Sequence, residues 1–228
     1  MTDDWDSRRR RAGRRASEFA TSGMAVGLGT GRTADHATRA LAERIAAGLR
    51  IVGVPTSQHT ADLAKSLGIP LATLEERPRL DLAIDGADQV DPQLQLIKGH
   101  GGALLREKIV AAASARLIIV VDDSKLVDRL GHGCAVPVEV LPFGWRPAAA
   151  RIEALGAAVS LRGGRNKPDV TDNGNSVLDC QFGSIASPES LDRQLSAIPG
   201  VLGTGLFVGM ADTVIVGTPD GVELRSAG

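Results

Sequence analysis

The first half of the chain alternates short apolar runs with helix-compatible segments, and this rhythm constrains the fold more than any other feature. Met24–Gly29, Arg50–Val54, Leu80–Ile84 and Leu117–Val121 read as short strands. Thr33–Ala47, Ser57–Leu67 and Ala103–Ala113 lie between them and read as helices. That order predicts a mostly parallel sheet with helices on both faces, a Rossmann-like α/β architecture. The rhythm changes after Gly131. Cys134–Val140 reads as a strand, Pro147 opens a helix to about Leu155, and Ala157–Leu161 is a strand again. Val170 and Val177 flank Asp172-Asn173-Gly174-Asn175, a hairpin signal. Ser187 before Pro188 caps a further helix that Ile198-Pro199-Gly200 ends. This β-α-β-β-α-β order resembles a ferredoxin-like split unit. Gly205–Val208 and Thr213–Val216, with the Asp220-Gly221 turn, are expected to return to the large sheet. The expected division is a large α/β domain, 1–130 and 206–228, with a small inserted α+β domain, 131–205.

Composition excludes several function classes. A formal charge of −1 gives no global attraction to nucleic acid or anionic membrane. Aromatics at 3%, with no Tyr, argue against base stacking. Six arginines crowd the N-terminus (Arg8, Arg9, Arg10, Arg11, Arg14, Arg15), but Trp5, Ala12, Ala16 and Phe19 recur at helical spacing. The arginines are therefore expected on the wet face of an amphipathic helix. No apolar run of membrane-spanning length occurs, which suits a cytoplasmic protein. Cys134 and Cys180 lie far apart in no metal-like spacing, and His36, His59, His100 and His132 are scattered. No metal site and no cofactor are expected.

The residues suited to chemistry concentrate in 81–111. Asp85 and Asp88 leave the carboxyl end of a strand, where open α/β sheets bind ligands. Gly86 and Ala87 between them allow a sharp turn that brings both carboxylates toward one cavity, or an Asx-type turn that merely stops the strand. Lys98 precedes Gly99-His100-Gly101-Gly102, a run that can bend around a substrate and feed the next helix. Glu107 shares a helix face with Ala103, Val110 and Ala111. Lost solvation there would raise its proton affinity toward that of a general base. Neither Arg106 nor Lys108 shares that face. A carboxylate base, a cation and backbone N–H groups are the parts needed to move protons beside a carbonyl.

Three other loops leave strands at the same end. Gly27-Leu28-Gly29-Thr30-Gly31-Arg32-Thr33 offers helix N-terminal N–H groups and two hydroxyls to an anion. It is neither a dinucleotide fingerprint, since Arg32 occupies the third glycine position, nor a P-loop. A small phosphorylated metabolite fits it better; an ordinary tight turn is the alternative. Thr56 or Ser57 would cap the following helix. Asp122-Asp123-Ser124-Lys125 could bring Lys125 to a phosphate or hydroxyl, or cap a turn with Asp123 or Ser124.

In combination these motifs resemble type A ribose-5-phosphate isomerase. Gly-Thr-Gly-x-Thr, Asp-Gly-Ala-Asp, Ile-Lys-Gly-x-Gly-Gly-Ala with Arg-Glu-Lys, and Asp-x-Ser-Lys occur in the family's order, from about Ala16 to Leu224. Pro137-Val138-Glu139-Val140, Thr171–Asn175, Ile198–Val201 and Gly205-Leu206-Phe207 match too. The resemblance implies interconversion of ribose 5-phosphate and ribulose 5-phosphate without metal or organic cofactor. It implies Glu107 as proton acceptor, with Asp85, Asp88 and Lys98 also catalytic. The substrate site would comprise Thr30, Gly31, Arg32, Thr33, Asp85, Gly86, Ala87, Asp88, Lys98, Gly99, His100, Gly101 and Lys125. It implies a homodimer or dimer of dimers acting on a small-molecule sugar phosphate, with neither nucleic acid nor membrane as partner. Arg32 stands where the family usually has Ser, His100 where it has Gly, and Gln89 where Glu is common. His100 could narrow the pocket, add a proton-transfer group, or strain the backbone. Rival expectations are an isomerase of another short sugar phosphate, a sugar-phosphate sensor, and a deaminase or lactonase of similar architecture.

Overall fold

The computed structural model describes residues 5–226. In chain order the elements are α1 (Trp5–Ser17), β1 (Ala25–Leu28), α2 (Arg32–Ala46), β2 (Val52–Pro55), α3 (Gln58–Ser66), β3 (Leu82–Gly86), β4 (Gln89–Val90) and β5 (Leu96–Ile97). There follow α4 (Leu104–Ala112), β6 (Leu117–Asp122), β7 (Val136–Val140), α5 (Trp145–Glu153), β8 (Ala158–Leu161) and β9 (Ser176–Gln181). The chain ends with α6 (Pro188–Ser196), β10 (Val201–Thr204), β11 (Leu206–Phe207), β12 (Thr213–Gly217) and β13 (Val222–Ser226). Among the described residues, no helix is long and apolar enough to cross a membrane.

Two compact units result. One contains the described residues up to Ala87, Ile109–Leu126, and those from Met210; the other contains Asp88–Lys108 and Val127–Gly209. The first is built on a six-stranded sheet of order β13-β12-β6-β3-β1-β2. Five strands are parallel and β13 closes one edge antiparallel to β12. Its core joins Val26, Leu28, Ile84, Ile118, Val120 and Ile215 to Leu41 of α2 and to Ala12 and Ala16 of α1. The inner strands β1, β6 and β12 are buried along their whole length because both faces of a parallel sheet are covered, whereas the edge strand β13 is mostly exposed. The approach of α1 to α2 requires Gly13, since a Cβ there would lie 2.6 Å from the Ala37 nitrogen.

The expected wet arginine face is only partly wet. Arg10 and Arg14 are exposed, but Arg8 is buried over the Trp5 ring and donates to Asp123 Oδ1 at 2.6 Å. Arg9 Nε donates to Asp122 Oδ2 at 2.8 Å, with side-chain exposures of 13% and 0%. Arg11 reaches the Thr218 carbonyl. Amphipathic spacing located the apolar stripe of α1 correctly, but helical periodicity carries no information about distant carboxylates at the end of β6. Asp122, rather than Asp123 or Ser124, caps the short 3₁₀ turn Asp123–Lys125, accepting from the Ser124 nitrogen.

This cluster makes a prediction. Burial works to raise the Asp122 carboxyl, but bonds from Ser124 and Arg9 and the charges of Arg9 and Lys125 outweigh it and hold it below the usual range. A depressed folded-state value contributes stability above the unfolded value, about 3.9, that is lost as pH falls through the folded value. Acidification from about pH 5 to about pH 2 should lower Tm more steeply in the wild type than in Asp122→Asn. Equal slopes would remove this cluster from the acid sensitivity.

The second unit contains a four-stranded antiparallel sheet of order β10-β7-β9-β8 with α5 and α6, the arrangement expected of a ferredoxin-like split unit. Its core includes Val136, Val138, Val140, Ile152, Leu178, Cys180 and Leu195. Cys134 and Cys180 are both buried, and burial, with the Asp179 charge, pushes the Cys180 thiol up to about 12. Three local expectations change. The helix α5 begins at Trp145, two residues ahead of Pro147, which its first turn tolerates. The inner hairpin pairs β8 with β9 across a long loop, and Val170 contributes one isolated bridge to Ser176. The Gly205–Val208 segment supplies β11, which pairs with β5 in a three-stranded sheet β11-β5-β4 instead of joining the large one; Thr213–Val216 does join it, as β12.

Candidate active site

In the first unit the strand order runs β2-β1-β3-β6, so the connection after β1 leads to one side and that after β3 to the other. Between β1 and β3 lies a topological switch point, where the two connecting loops diverge and leave a crevice at the carboxyl ends. Thr30–Thr33 leaves β1 there, and Asp85 is the next-to-last residue of β3. Asp85 is buried, and its Oδ1 accepts from the Thr30 nitrogen at 3.1 Å and the Gly86 nitrogen at 2.7 Å. Gly29 permits this closeness, since a Cβ there would meet Asp85 Oδ1 at 2.2 Å.

The Thr30 hydroxyl lies 2.7 Å from Thr56 Oγ1, 2.7 Å from Ser57 Oγ and 3.1 Å from Thr60 Oγ1. Ser57 is also the N-cap of α3, accepting from the Thr60 nitrogen at 3.1 Å. A knot of hydroxyls therefore ties the first loop to the second, a link that neither loop's sequence displays alone. Gly31 precedes α2 at φ 115°, and among the described residues no side chain caps that helix. Its first N–H groups are thus left to an incoming acceptor, the geometry that favours an anion. Thr33 and Gly86 are half-buried; Arg32 is exposed in the first turn of α2, and Lys125 is half-buried in the turn after β6.

In the second unit the short sheet fixes the other set. The Lys98 nitrogen donates to the Gly205 carbonyl at 2.8 Å, continuing the β5–β11 pairing by one residue. Lys98 Nζ then lies 3.3 Å from Glu107 Oε2, with side chains only 3% and 5% exposed. Glu107 sits in the first turn of α4, where the helix dipole favours a carboxylate. Burial opposes charge on either group alone, while each stabilises charge on the other. As the helical spacing indicated, Arg106 and Lys108 turn elsewhere: Arg106 to Asn173 and Asp172, Lys108 to Thr204, Leu206 and Asp192. Burial lowers the Lys108 pKa, and Asp192 only partly offsets this.

Gly99 and Gly102 carry the positive φ of the glycine loop, at 104° and 81°. His100 is not among the positive-φ residues, so of its three expected effects backbone strain is removed. Its nitrogen donates to Asp88 Oδ2 at 3.1 Å, and its ring places Nδ1 3.7 Å from Asp88 Oδ1 and Nε2 3.1 Å from the Ala135 carbonyl. Gln89 has a structural part: its amide donates to the His132 carbonyl and its oxygen accepts from the Gly131 nitrogen, both at 2.8 Å. A carboxylate could only accept.

The structure thus brings Thr30 to Asp85 in one unit, and Asp88 to His100 and Lys98 to Glu107 in the other. Sequence reasoning missed Phe207, a fully buried ring with Lys98 Nζ 5.4 Å and Lys108 Nζ 5.0 Å from its centroid. The only signal for it was its place in the Gly-Leu-Phe motif.

Residues 52–221 match the family described as ribose 5-phosphate isomerase A (phosphoriboisomerase A). The ribose-5-phosphate isomerase A of Gloeobacter violaceus is 55% identical over 97% of this chain and 96% of its own. A solved D-ribose-5-phosphate isomerase in complex with phospho-erythronic acid superposes with a TM-score of 0.95 at 40% identity, covering 98% of this chain and 99% of that one. The ribose 5-phosphate isomerase A of Methanocaldococcus jannaschii gives 0.92 at 38% identity, with coverage of 97% and 99%. On its sequence, its fold and the order of its motifs, this chain belongs to the ribose 5-phosphate isomerase A family.

Proposed function

We propose that the chain interconverts D-ribose 5-phosphate and D-ribulose 5-phosphate through a cis-enediolate, and that Glu107 is the base. The observation that carries this reading is the buried Lys98–Glu107 pair at 3.3 Å. A sensor of sugar phosphates has no use for a desolvated carboxylate held beside an ammonium, whereas an enolisation needs both. Glu107 takes the C2 proton and returns it at C1. Lys98, with N–H groups of the glycine loop, steadies the negative charge that develops on the carbonyl oxygen. One of Asp85 and Asp88 moves protons between O1 and O2 and assists ring opening. The uncapped start of α2, at Gly31, Arg32 and Thr33, takes the phosphate, with Thr30 shaping that loop. Gly86, Ala87, Gly99, His100, Gly101 and Lys125 complete the substrate contacts. The chemistry as written needs no metal or organic cofactor.

The family habit supports a homodimer or dimer of dimers in the cytoplasm, serving the non-oxidative branch of the pentose phosphate pathway. The test is a direct isomerase assay on ribose 5-phosphate with chelator present, beside a panel of other phosphorylated aldoses. Ketose formation from the pentose is expected; a clear preference for another aldose would replace the substrate while keeping the reaction class. Arg32→Ser should raise KM about fivefold, equivalent to about 1 kcal/mol, with kcat nearly unchanged. An unchanged KM would leave Arg32 a solvent-facing residue.

A further inference from the structure

Arg162, just past β8, spends its whole guanidinium in two directions. Nε donates to Asp179 Oδ2 at 3.0 Å and Nη2 to Asp179 Oδ1 at 2.5 Å, a two-pronged pairing that fixes the plane of the group. Nη1 donates to two successive carbonyls of the glycine loop, Gly99 at 3.0 Å and His100 at 3.1 Å. Its backbone is held as well, the nitrogen donating to the Val177 carbonyl and the carbonyl accepting from the Asp169 nitrogen. The guanidinium is therefore anchored before it touches the loop.

The consequence follows from peptide geometry. In a trans peptide the N–H points opposite to the C=O of the preceding residue. With the Gly99 and His100 carbonyls turned to Arg162, the N–H groups of His100 and Gly101 point the other way. The first is accounted for: it donates to Asp88 Oδ2. The second lies within the turn closed by the Gly102 nitrogen and the Gly99 carbonyl at 3.0 Å, and among the described residues it has no protein acceptor. Being anti to the His100 carbonyl, it points away from the Arg162 guanidinium, as the preceding N–H does where it meets Asp88.

We infer that Arg162, anchored by Asp179, is a positioning residue that aims the Gly101 N–H as a donor to the oxyanion of the enediolate. This inference rests on the isomerase reading above. Arg162 itself touches no reacting atom, and its effect passes through the loop's peptide planes. Removing a preorganised oxyanion donor costs about 10²- to 10³-fold in kcat, and misaiming one should cost less.

The test uses the full chain with Arg162→Met, Arg162→Lys and Asp179→Asn. Kinetics on ribose 5-phosphate are read beside the inhibition constant of 4-phosphoerythronate, an aldonate whose carboxylate imitates the enediolate charge. Arg162→Met is expected to lower kcat about 10- to 100-fold, with KM within about threefold. Aldonate affinity should fall in parallel with kcat/KM, because both report the oxyanion. Arg162→Lys should recover part of the loss, and Asp179→Asn should show a smaller loss in the same direction. Arg162→Met with kcat and aldonate affinity near wild type would overturn the inference. So would a loss matching only the unfolded fraction measured by near-UV circular dichroism. A wild type inactive on ribose 5-phosphate would instead remove the isomerase reading, so the two failures are distinguishable.

Discussion

Glu107→Gln is expected to lower turnover by roughly 10²- to 10⁴-fold while leaving KM for ribose 5-phosphate nearly unchanged. The amide keeps the volume of a side chain that is 5% exposed, so packing at the start of α4 should persist. It cannot accept a proton from carbon, and only the transition state for enolisation needs it to. Loss of an interaction made only there lowers kcat and kcat/KM together. KM should hold because the phosphate is assigned to the start of α2 and not to Glu107. Steady-state kinetics at saturating and limiting substrate check this; near-normal kcat would remove Glu107 from the base role.

Lys98→Met should act on stability as well as on rate. The pair is buried on both sides, and removing one partner of such a pair typically costs about 3–5 kcal/mol because the other charge stays desolvated. Methionine keeps the apolar stem beside the Phe207 ring, so the loss should come from charge more than from packing. Adding Glu107→Gln to Lys98→Met should recover part of the stability, since no buried carboxylate then needs a cation. Urea unfolding of both single variants and the double variant gives the coupling directly. A double variant no more stable than Lys98→Met would mean that the two charges do not support each other. Turnover of Lys98→Met should fall about 10²-fold or more, because the developing oxyanion loses its cation.

What the sequence made legible follows from where each signal resides. Apolar runs long enough to show a period located β1, α2, β3, α4 and β6, and turn residues located the βαββαβ order from β7 to β10. β4, β5 and β11 are two residues each, too short for any period, yet their sheet fixes the backbone of Lys98. Local pattern gave the segment at Leu206 as a strand but not its partner, since the choice between β5 and the large sheet is tertiary. Arg8, Arg9 and Arg11 of α1 were misassigned for the same reason, while Arg10 and Arg14 are exposed as expected: Asp122 lies 113 residues from Arg9. At the candidate site, Glu107 was legible because its helix face is apolar, and Asp85 because it ends a strand. Its partner Lys98 was legible as a cation near glycines, but the 3.3 Å pairing depends on how β5 and α4 come together. Arg162 and Asp179 had no local signal at all.

The most direct test of the central claim follows a single hydrogen. Ribose 5-phosphate labelled with deuterium at C2 is incubated with the enzyme in ordinary water, and the label is followed by mass spectrometry in product and solvent. Washout of label into solvent during turnover, at a rate that Glu107→Gln reduces at least about 100-fold, is the expected result. Complete transfer of the label from C2 to C1, at a rate indifferent to that substitution, would contradict proton abstraction by this carboxylate.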